Sequence, residues 1–178
     1  MKSAENGAGN KKGIFLDTDW LENDEIKLVL EKTVDAGKDA WLPTYCFAIY
    51  EKRNVKIKIG VCDLRIGHNE NVYYGGNIGY KIEEAYRGHH YAAKACLLLF
   101  ELAKRHCMEY VIITCNPDND ASRKTCEYAG GILKEIVEVP EGHILYAKGD
   151  TYKCIYEFLL WQKAKYPPSR PAAVTVFY

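Results

Sequence analysis

The sequence predicts a mixed α/β (α+β) domain in which a largely antiparallel central sheet is flanked by helices. Three features predict this class. Residues 45–50 are apolar and aromatic and residues 55–66 alternate, which together indicate a hairpin, and residues 90–106 carry apolar groups at helical spacing. The run at 110–115 is continuously apolar, as in a strand buried on both faces. The order of these elements indicates a sandwich of sheet and helices and not a doubly wound parallel sheet.

The first part of the chain predicts a helix, a hairpin and a short strand. Residues 20–36 show a helical stripe that would end at Gly37, made of Trp20, Leu21, Ile26, Val29, Leu30 and Val34. In the hairpin, residues 51–54 form the turn and 55–66 the second strand. Residues 67–76 are rich in turn formers, and 77–82 are short and extended.

The second part predicts a tight turn at residues 83–88, followed by the long helix. After the buried strand, the sequence NPDND forms a capping turn and residues 121–129 a short helix, closed by Gly130 and Gly131. Strands are expected at 132–139 and 144–160, on either side of a turn that begins at Pro140. Residues 165–178 contain prolines and indicate no single element.

Length and composition limit the function classes. The 178 residues fit one domain, expected over 14–178 after a flexible polar segment at 1–13. The net charge is zero, which argues against a nucleic-acid partner, because phosphate binding usually needs a basic excess. No apolar run approaches the roughly 20 residues that cross a bilayer, and the start does not look like a signal peptide. A cytoplasmic location without membrane attachment is therefore expected.

The seven cysteines do not form a metal-binding or disulfide pattern. Their number is odd and no Cys-x-x-Cys pair occurs. We expect reduced thiols, several of them buried as small apolar groups. The adjacent residues His89 and His90 would diverge at the start of a helix, so no metal site is predicted there.

The turn before the long helix is a candidate phosphate site. Arg87 and Gly88 stand between a strand and a helix start, where free backbone amides and the positive end of the helix dipole favour anions. Small residues such as Gly88, Ala92 and Ala93 would let a ligand approach the backbone. An ordinary strand-to-helix turn would show the same local pattern, so physics alone leaves both interpretations open.

Two motifs sharpen this interpretation. Residues 87–92 read Arg-Gly-His-His-Tyr-Ala and resemble motif A, Arg/Gln-x-x-Gly-x-Gly/Ala, of the GNAT superfamily of acyl-CoA N-acyltransferases. His90 replaces the central glycine, where it would either crowd a phosphate or add charge beside it. Residues 116–131 resemble motif B through Asn119, Ser122 and Gly130. The resemblance covers residues 45–160 in architecture and implies a GNAT-like fold.

The resemblance implies acetyl-CoA as cosubstrate and no metal. Pantetheine would bind the backbone at the end of the strand before motif A, at Tyr80, Lys81 and Ile82. The other cofactor-binding residues that the resemblance implies are Arg87, Gly88, His89, His90, Tyr91, Ala92, Ala93, Asn119 and Ser122.

Transfer to an amine also needs proton acceptors and donors. An amine with a pKa near 10.4 is almost entirely protonated at pH 7, so a base or a water chain is expected. Near the strand end, Asn77 could orient a water molecule, and the other candidates are His68, Glu70, Glu83 and Glu84. Each of these side chains could equally be an ordinary loop residue.

The proton for the departing thiolate is a separate question. Many family members use a tyrosine seven residues after the motif B asparagine, and here that position is Cys126. Tyr128 follows at about 200° around the helix, so it should point elsewhere. Cys126 is therefore the candidate acid, with water and simple packing of this thiol as alternatives.

The acceptor is expected to be the primary amine of a small molecule or a peptide. Arg65 could bind an acidic group of such a substrate. Residues 171–178 could add a strand to a second copy, which makes a homodimer one expected assembly. The alternative function is a module that binds coenzyme A without turnover, suggested by the substituted glycine and the missing tyrosine.

Overall fold

A computed structural model describes residues 14–37 and 42–161. The predicted segments at 1–13 and 165–178 therefore lie outside the described residues. The helices and strands are β1 Ile26–Val34, β2 Thr44–Glu51, β3 Asn54–Arg65, α1 Glu70–Gly75, β4 Ile78–Ile82, α2 Tyr91–Arg105, β5 Tyr110–Cys115, α3 Asp120–Tyr128, β6 Ile132–Glu138 and β7 Tyr152–Leu159. Short 3-10 turns occur at Glu84–Tyr86 and Tyr146–Lys148.

The predicted helix at residues 20–36 is wrong. Ile26–Val34 is a strand that pairs antiparallel with β2. A turn precedes it, because the Oδ1 atom of Asn23 accepts hydrogen bonds from the amides of Glu25 and Ile26. Ile26 and Leu28 are buried while Val29 is exposed, so the apolar groups alternate as in a strand and tertiary pairing overrides the helical spacing.

The first sheet has four strands in the order β1-β2-β3-β4, all paired antiparallel. The predicted hairpin is confirmed as β2 and β3. Its inner face carries buried Phe47, Ile49 and Leu64, which belong to the same core as Leu99 and Leu102 of α2. This packing fixes α2 against the sheet and places its first turn beside the end of β4.

One turn prediction and one strand prediction also need correction. Residues 67–76 contain the short helix α1, capped by Asn69, whose Oδ1 atom accepts the amide of Val72. Within 144–160 only Tyr152–Leu159 is a strand, and a 3-10 turn occupies Tyr146–Lys148. In both cases local capping and turn chemistry decide the backbone.

The second sheet has the strand order β5-β7-β6 and is joined to the first at Asn77. The Asn77 amide donates to the Ile112 carbonyl at 2.6 Å, and the Ile112 amide donates to Asn77 Oδ1 at 2.9 Å. Among the described residues, the two sheets share no strand pairing beyond this junction. The edges of β4 and β5 therefore face a gap that is closed at Asn77. The mixed α+β class with antiparallel sheets and flanking helices is confirmed.

Candidate functional site

One cleft brings the two sequence motifs together. It has a volume of about 570 Å³ and lies between the end of β4, the start of α2 and the start of α3. Its lining residues are Tyr80, Lys81, Ile82, Tyr86, Arg87, Gly88, His90, Tyr91, Ala92, Asn119, Ala121, Ser122, Lys124 and Thr125. Most of the predicted cofactor-binding residues are in this set, whereas His89 and Ala93 are not.

The turn before α2 adopts the left-handed conformation at two positions. Gly88 has φ +87° and His90 has φ 57°. Glycine adopts this region without strain, whereas a side chain costs about 1–2 kcal/mol there. His90 thus retains the backbone shape that glycine would favour, and the first amides of α2 remain without intrahelical partners.

The His90 imidazole is held by an aromatic contact with the last residue of α3. It stacks on the Tyr128 ring with centroids 4.0 Å apart and planes within 7°. His89 instead stacks against Tyr91, and Lys94 Nζ donates a hydrogen bond to the His89 carbonyl at 2.9 Å. Tyr128 therefore points toward the helix start and not along the direction of Cys126, as its position on the helix predicts.

The register of β4 decides which of its backbone groups face the gap. The backbone amide of Arg65 donates to the Asn77 carbonyl and that of Glu83 donates to the Ile59 carbonyl, so the odd-numbered residues of β4 bond to β3. Ile78, Tyr80 and Ile82 consequently turn their amides and carbonyls to the free edge. The predicted backbone contact of Lys81 does not fit this register, because Lys81 pairs with Val61. The carbonyl of Ile82 already accepts from Arg87 Nε at 3.3 Å.

Motif B forms the opposite wall. Asn119 caps α3, with its Oδ1 atom accepting the Ser122 amide at 3.0 Å. A cofactor contact of Asn119 would therefore use its Nδ2 group. The Ser122 hydroxyl meets the Tyr80 hydroxyl at 2.8 Å, which joins β4 to α3 across the base of the cleft.

Cys126 lies behind this pair of hydroxyls. It is fully buried, its Sγ atom is 3.9 Å from the Tyr80 hydroxyl, and it does not line the cleft. Burial raises the pKa of the thiol to about 12 and also raises the pKa of Tyr80. These observations favour a packing role for Cys126 over the predicted acid role, and they draw attention to Tyr80 and Ser122, whose hydroxyls the sequence interpretation did not use.

The Asn77 side chain is fully used in hydrogen bonds that join neighbouring segments. It is fully buried, and its Nδ2 group donates to the carbonyls of Arg65 and Gly67 at 3.1 and 2.8 Å. Together with the Oδ1 contact to Ile112, these bonds commit both ends of the side chain. The geometry therefore favours a junction between the sheets over the predicted water-orienting role.

The other candidate bases do not line the cleft. His68 stacks on Tyr110 at 4.1 Å, and burial lowers its pKa. Glu70 and Arg65 line a separate cavity of about 760 Å³ beside α1. Glu83 and Glu84 are exposed at the 3-10 turn after β4.

The charge of the cleft suits an anionic ligand. Lys81, Arg87 and Lys124 line it, and none of its lining residues is acidic. Lys124 is a residue that sequence reasoning missed, although it follows the motif B serine by two positions.

The described residues contain no cluster of three or more metal-ligating side chains. In the part of the chain that the structure describes, no helix is both long and apolar enough to cross a bilayer.

A comparison with known families decides the identity of the fold. The sequence profile of the acetyltransferase (GNAT) domain matches residues 17–132. The chain belongs to the GNAT family. The resemblance of the two motifs is thereby confirmed, and the cleft of this GNAT domain is the place where both motifs meet.

Solved structures agree with this GNAT assignment at the level of the fold. The microcin C7 self-immunity acetyltransferase MccE, in complex with acetyl-CoA and AMP, matches with a TM-score of 0.50 and 23% identity, covering 65% of this chain and 61% of that chain. A GNAT-family acetyltransferase from Bacillus anthracis matches with a TM-score of 0.52 and 19% identity, covering 65% and 66%. The ribosomal-protein-S5-alanine acetyltransferase from Vibrio fischeri matches with 0.52 and 16%, covering 70% and 64%.

This GNAT chain therefore spans somewhat less than two thirds of the length of MccE. No curated protein matches the sequence.

The cysteines of the GNAT domain are all free, and five of them are buried, namely Cys62, Cys96, Cys115, Cys126 and Cys154.

Proposed function

We propose that this GNAT domain transfers the acetyl group of acetyl-CoA to the primary amine of a small molecule or a peptide. The observation that carries the proposal is the continuity of the cleft. It leads from the unpaired amides at the start of α2 to the free edge of β4 and ends at the hydroxyl pair of Tyr80 and Ser122.

The cofactor would bind along this path. Its diphosphate would accept hydrogen bonds from the amides near Gly88 and Tyr91, supported by the helix dipole and by Arg87 and Lys124. Pantetheine would then pair with the outward-facing backbone of Tyr80 as an added strand does. MccE, which was solved with acetyl-CoA, shares this fold.

The thioester would lie near the closed end of the gap. There an amide of the free β4 edge can polarise its carbonyl, because a preorganised donor stabilises the developing oxyanion. The amine nitrogen forms the new C–N bond and gives up one proton to water, the C–S bond breaks, and the thiolate leaves. The hydroxyls of Tyr80 and Ser122 would hydrogen-bond that thiolate, which takes its proton from water.

Small amines and peptides are both candidate acceptors. One structural relative acetylates an alanine of ribosomal protein S5, by its name, which keeps a peptide α-amino group in consideration. An α-amino group, with a pKa of about 8, is also more easily deprotonated than a lysine side chain. The reduced cysteines of the chain suit the cytoplasm, which we propose as its compartment.

The alternative is a coenzyme A-binding module without turnover, and one experiment separates the two. Thermal unfolding is followed with and without acetyl-CoA, and thiol release is followed with spermidine, glycinamide and peptides that begin with serine or alanine. A ligand at 100 times its Kd stabilises by about 2.7 kcal/mol. Stabilisation with amine-dependent thiol release supports the transferase, stabilisation without release supports the module, and absence of stabilisation contradicts both. Samples without amine measure the background signal from the exposed thiol of Cys107, and this background is subtracted.

A further inference from the structure

Asp63 is a charged residue on the face of the first sheet that points away from α2. In the register of the sheet it stands between Cys46 of β2 and Gly79 of β4. Its inward-facing neighbours Cys62 and Leu64 are in the core, so Asp63 itself belongs to the opposite face. Its side chain is 27% exposed, which is low for a carboxylate on an open sheet.

The carboxylate is pressed against the β4 backbone. A Cβ atom on Gly79 would lie 2.5 Å from Asp63 Oδ2, so only glycine leaves room for the acid at this place. The Oδ1 atom is buried and accepts no hydrogen bond, although Arg65 Nη2 lies 2.9 Å away as an ion-pair partner. A buried carboxylate oxygen with unused acceptor capacity is costly for stability, and a catalytic role is one reason for such a group in a folded protein.

The position of Gly79 connects this acid to the proposed reaction. The gap between β4 and β5 closes at the Asn77–Ile112 junction, and Gly79 is two residues further along β4. A thioester at the closed end would lie beside Gly79 and Tyr80. Because Gly79 has no side chain, the Asp63 carboxylate lies directly against the β4 backbone at this point.

We propose that the Asp63 carboxylate is the proton acceptor for the substrate amine, an inference that rests on the proposed function. The acceptor ammonium gives one proton to the carboxylate and becomes a neutral amine. Its nitrogen lone pair attacks the thioester carbon, the C–S bond breaks, and the second amine proton is lost as the amide forms. The thiolate takes up one proton and Asp63 releases the other to solvent, so one acetyl group and one net proton are accounted for.

The charges around Asp63 suit this role. Burial raises its pKa, while Arg65 and a backbone hydrogen bond from Gly79 lower it, and the net direction is upward. A base with a raised pKa accepts a proton more effectively at neutral pH. Cys46 faces Asp63 from β2, Lys32 and Glu31 face Cys46 from β1, and Lys81 is the next residue on the same side of β4.

The first test is Asp63→Asn, which keeps the shape and removes the proton acceptor. With glycinamide as acceptor we expect kcat/KM to fall by about 100-fold or more, because general base catalysis contributes about 10²–10⁴-fold. The acidic limb of the pH profile should move to the pKa of glycinamide itself, while stabilisation by acetyl-CoA stays unchanged. The matched control is Glu31→Gln on the same sheet, which should keep full turnover.

A second acceptor separates base catalysis from a structural effect. Trifluoroethylamine is neutral at pH 7 and needs no base, so Asp63→Asn should slow its acetylation much less than that of glycinamide. Equal losses with both amines, or no loss with either, would overturn the proposal. If Asp63→Asn does not fold, Asp63→Ala with added formate is the replacement, and absence of rescue by formate contradicts the role. Failure of wild-type protein to bind acetyl-CoA would instead refute the proposed function.

Discussion

The His90 ring lies parallel to the Tyr128 ring at 4.0 Å and so links the start of α2 to the end of α3. His90 also has a φ of 57°, which places a side chain where glycine would be unstrained. The aromatic contact and the backbone strain act in opposite directions on stability. The stack therefore explains how a histidine is accommodated at the central glycine position of motif A.

This relationship predicts a conditional effect of His90→Gly. In the Tyr128→Ala background, where the stack is already lost, the substitution should raise the free energy of unfolding by about 1–2 kcal/mol through relief of strain. In the wild-type background the gain should be smaller, because a stacked pair contributes about 0.5–1.5 kcal/mol. Urea unfolding of the four variants of this cycle measures the difference. Equal effects in both backgrounds would show that the rings are not coupled.

Gly88→Ala tests the cradle at the start of α2. No atom lies within 4 Å of the added Cβ, so the substitution creates no clash, but the φ of +87° is unfavourable for alanine. We expect a loss of stability of about 1–2 kcal/mol and weaker acetyl-CoA binding, measured by calorimetry. Gly142→Ala is the control, since Gly142 also has open space around its Cβ and no positive φ. Unchanged acetyl-CoA affinity in Gly88→Ala would argue that the diphosphate binds elsewhere.

The departing thiolate should depend on Tyr80 and not on Cys126. A hydrogen bond to a charged group contributes about 1.5–3 kcal/mol, so Tyr80→Phe should lower kcat by about 10- to 100-fold. Cys126→Ala should leave kcat close to the wild-type value, because the thiol is buried behind the hydroxyl pair. Steady-state rates of both variants at saturating acetyl-CoA decide between them. A large loss in Cys126→Ala with retained stability would restore the cysteine as the acid.

Stability should fall in alkaline solution. Burial raises the pKa of Cys126 to about 12 and places those of Cys62 and Cys96 well above the ordinary value of 9.0. The unfolded thiols lose protons above that ordinary value while the folded ones keep them. The free energy of unfolding therefore decreases as pH rises from about 9, by up to about 1.4 kcal/mol per pH unit for each thiol. Urea titrations at several pH values test this, and Cys126→Ala should show a shallower slope. A flat dependence would mean that these thiols are accessible to water.

Much of the site was predictable because its residues are close in sequence. The turn from β4 into α2 and the cap of α3 follow from Gly88 and Asn119, whose conformational and capping preferences act locally. Tyr80 and Ser122 were both selected, but their contact was not predictable, since it joins positions 42 residues apart. Lys124 was missed because a lysine on a helix carries no local sign of which wall it will line.

The errors had physical causes as well. Residues 26–34 satisfy a helical spacing, but the Asn23 turn and the partner strand β2 make them a strand. In the sequence, Asn77 looked like a free polar residue at a strand end. Only the position of the second sheet shows that its Oδ1 atom already accepts the Ile112 amide. Asp63 did not stand out, because its significance depends on the missing side chain of Gly79 beside it.

By itself, the amino-acid order determined the class of fold and the two motifs, since turns, caps and apolar periodicity act over a few residues. Tertiary structure alone decided where β4 leaves its edge unpaired, which hydroxyls meet at the base of the cleft and which acid lies against Gly79. These features depend on the packing of strands and helices distant in sequence, where the free energy of burial and pairing outweighs local preference.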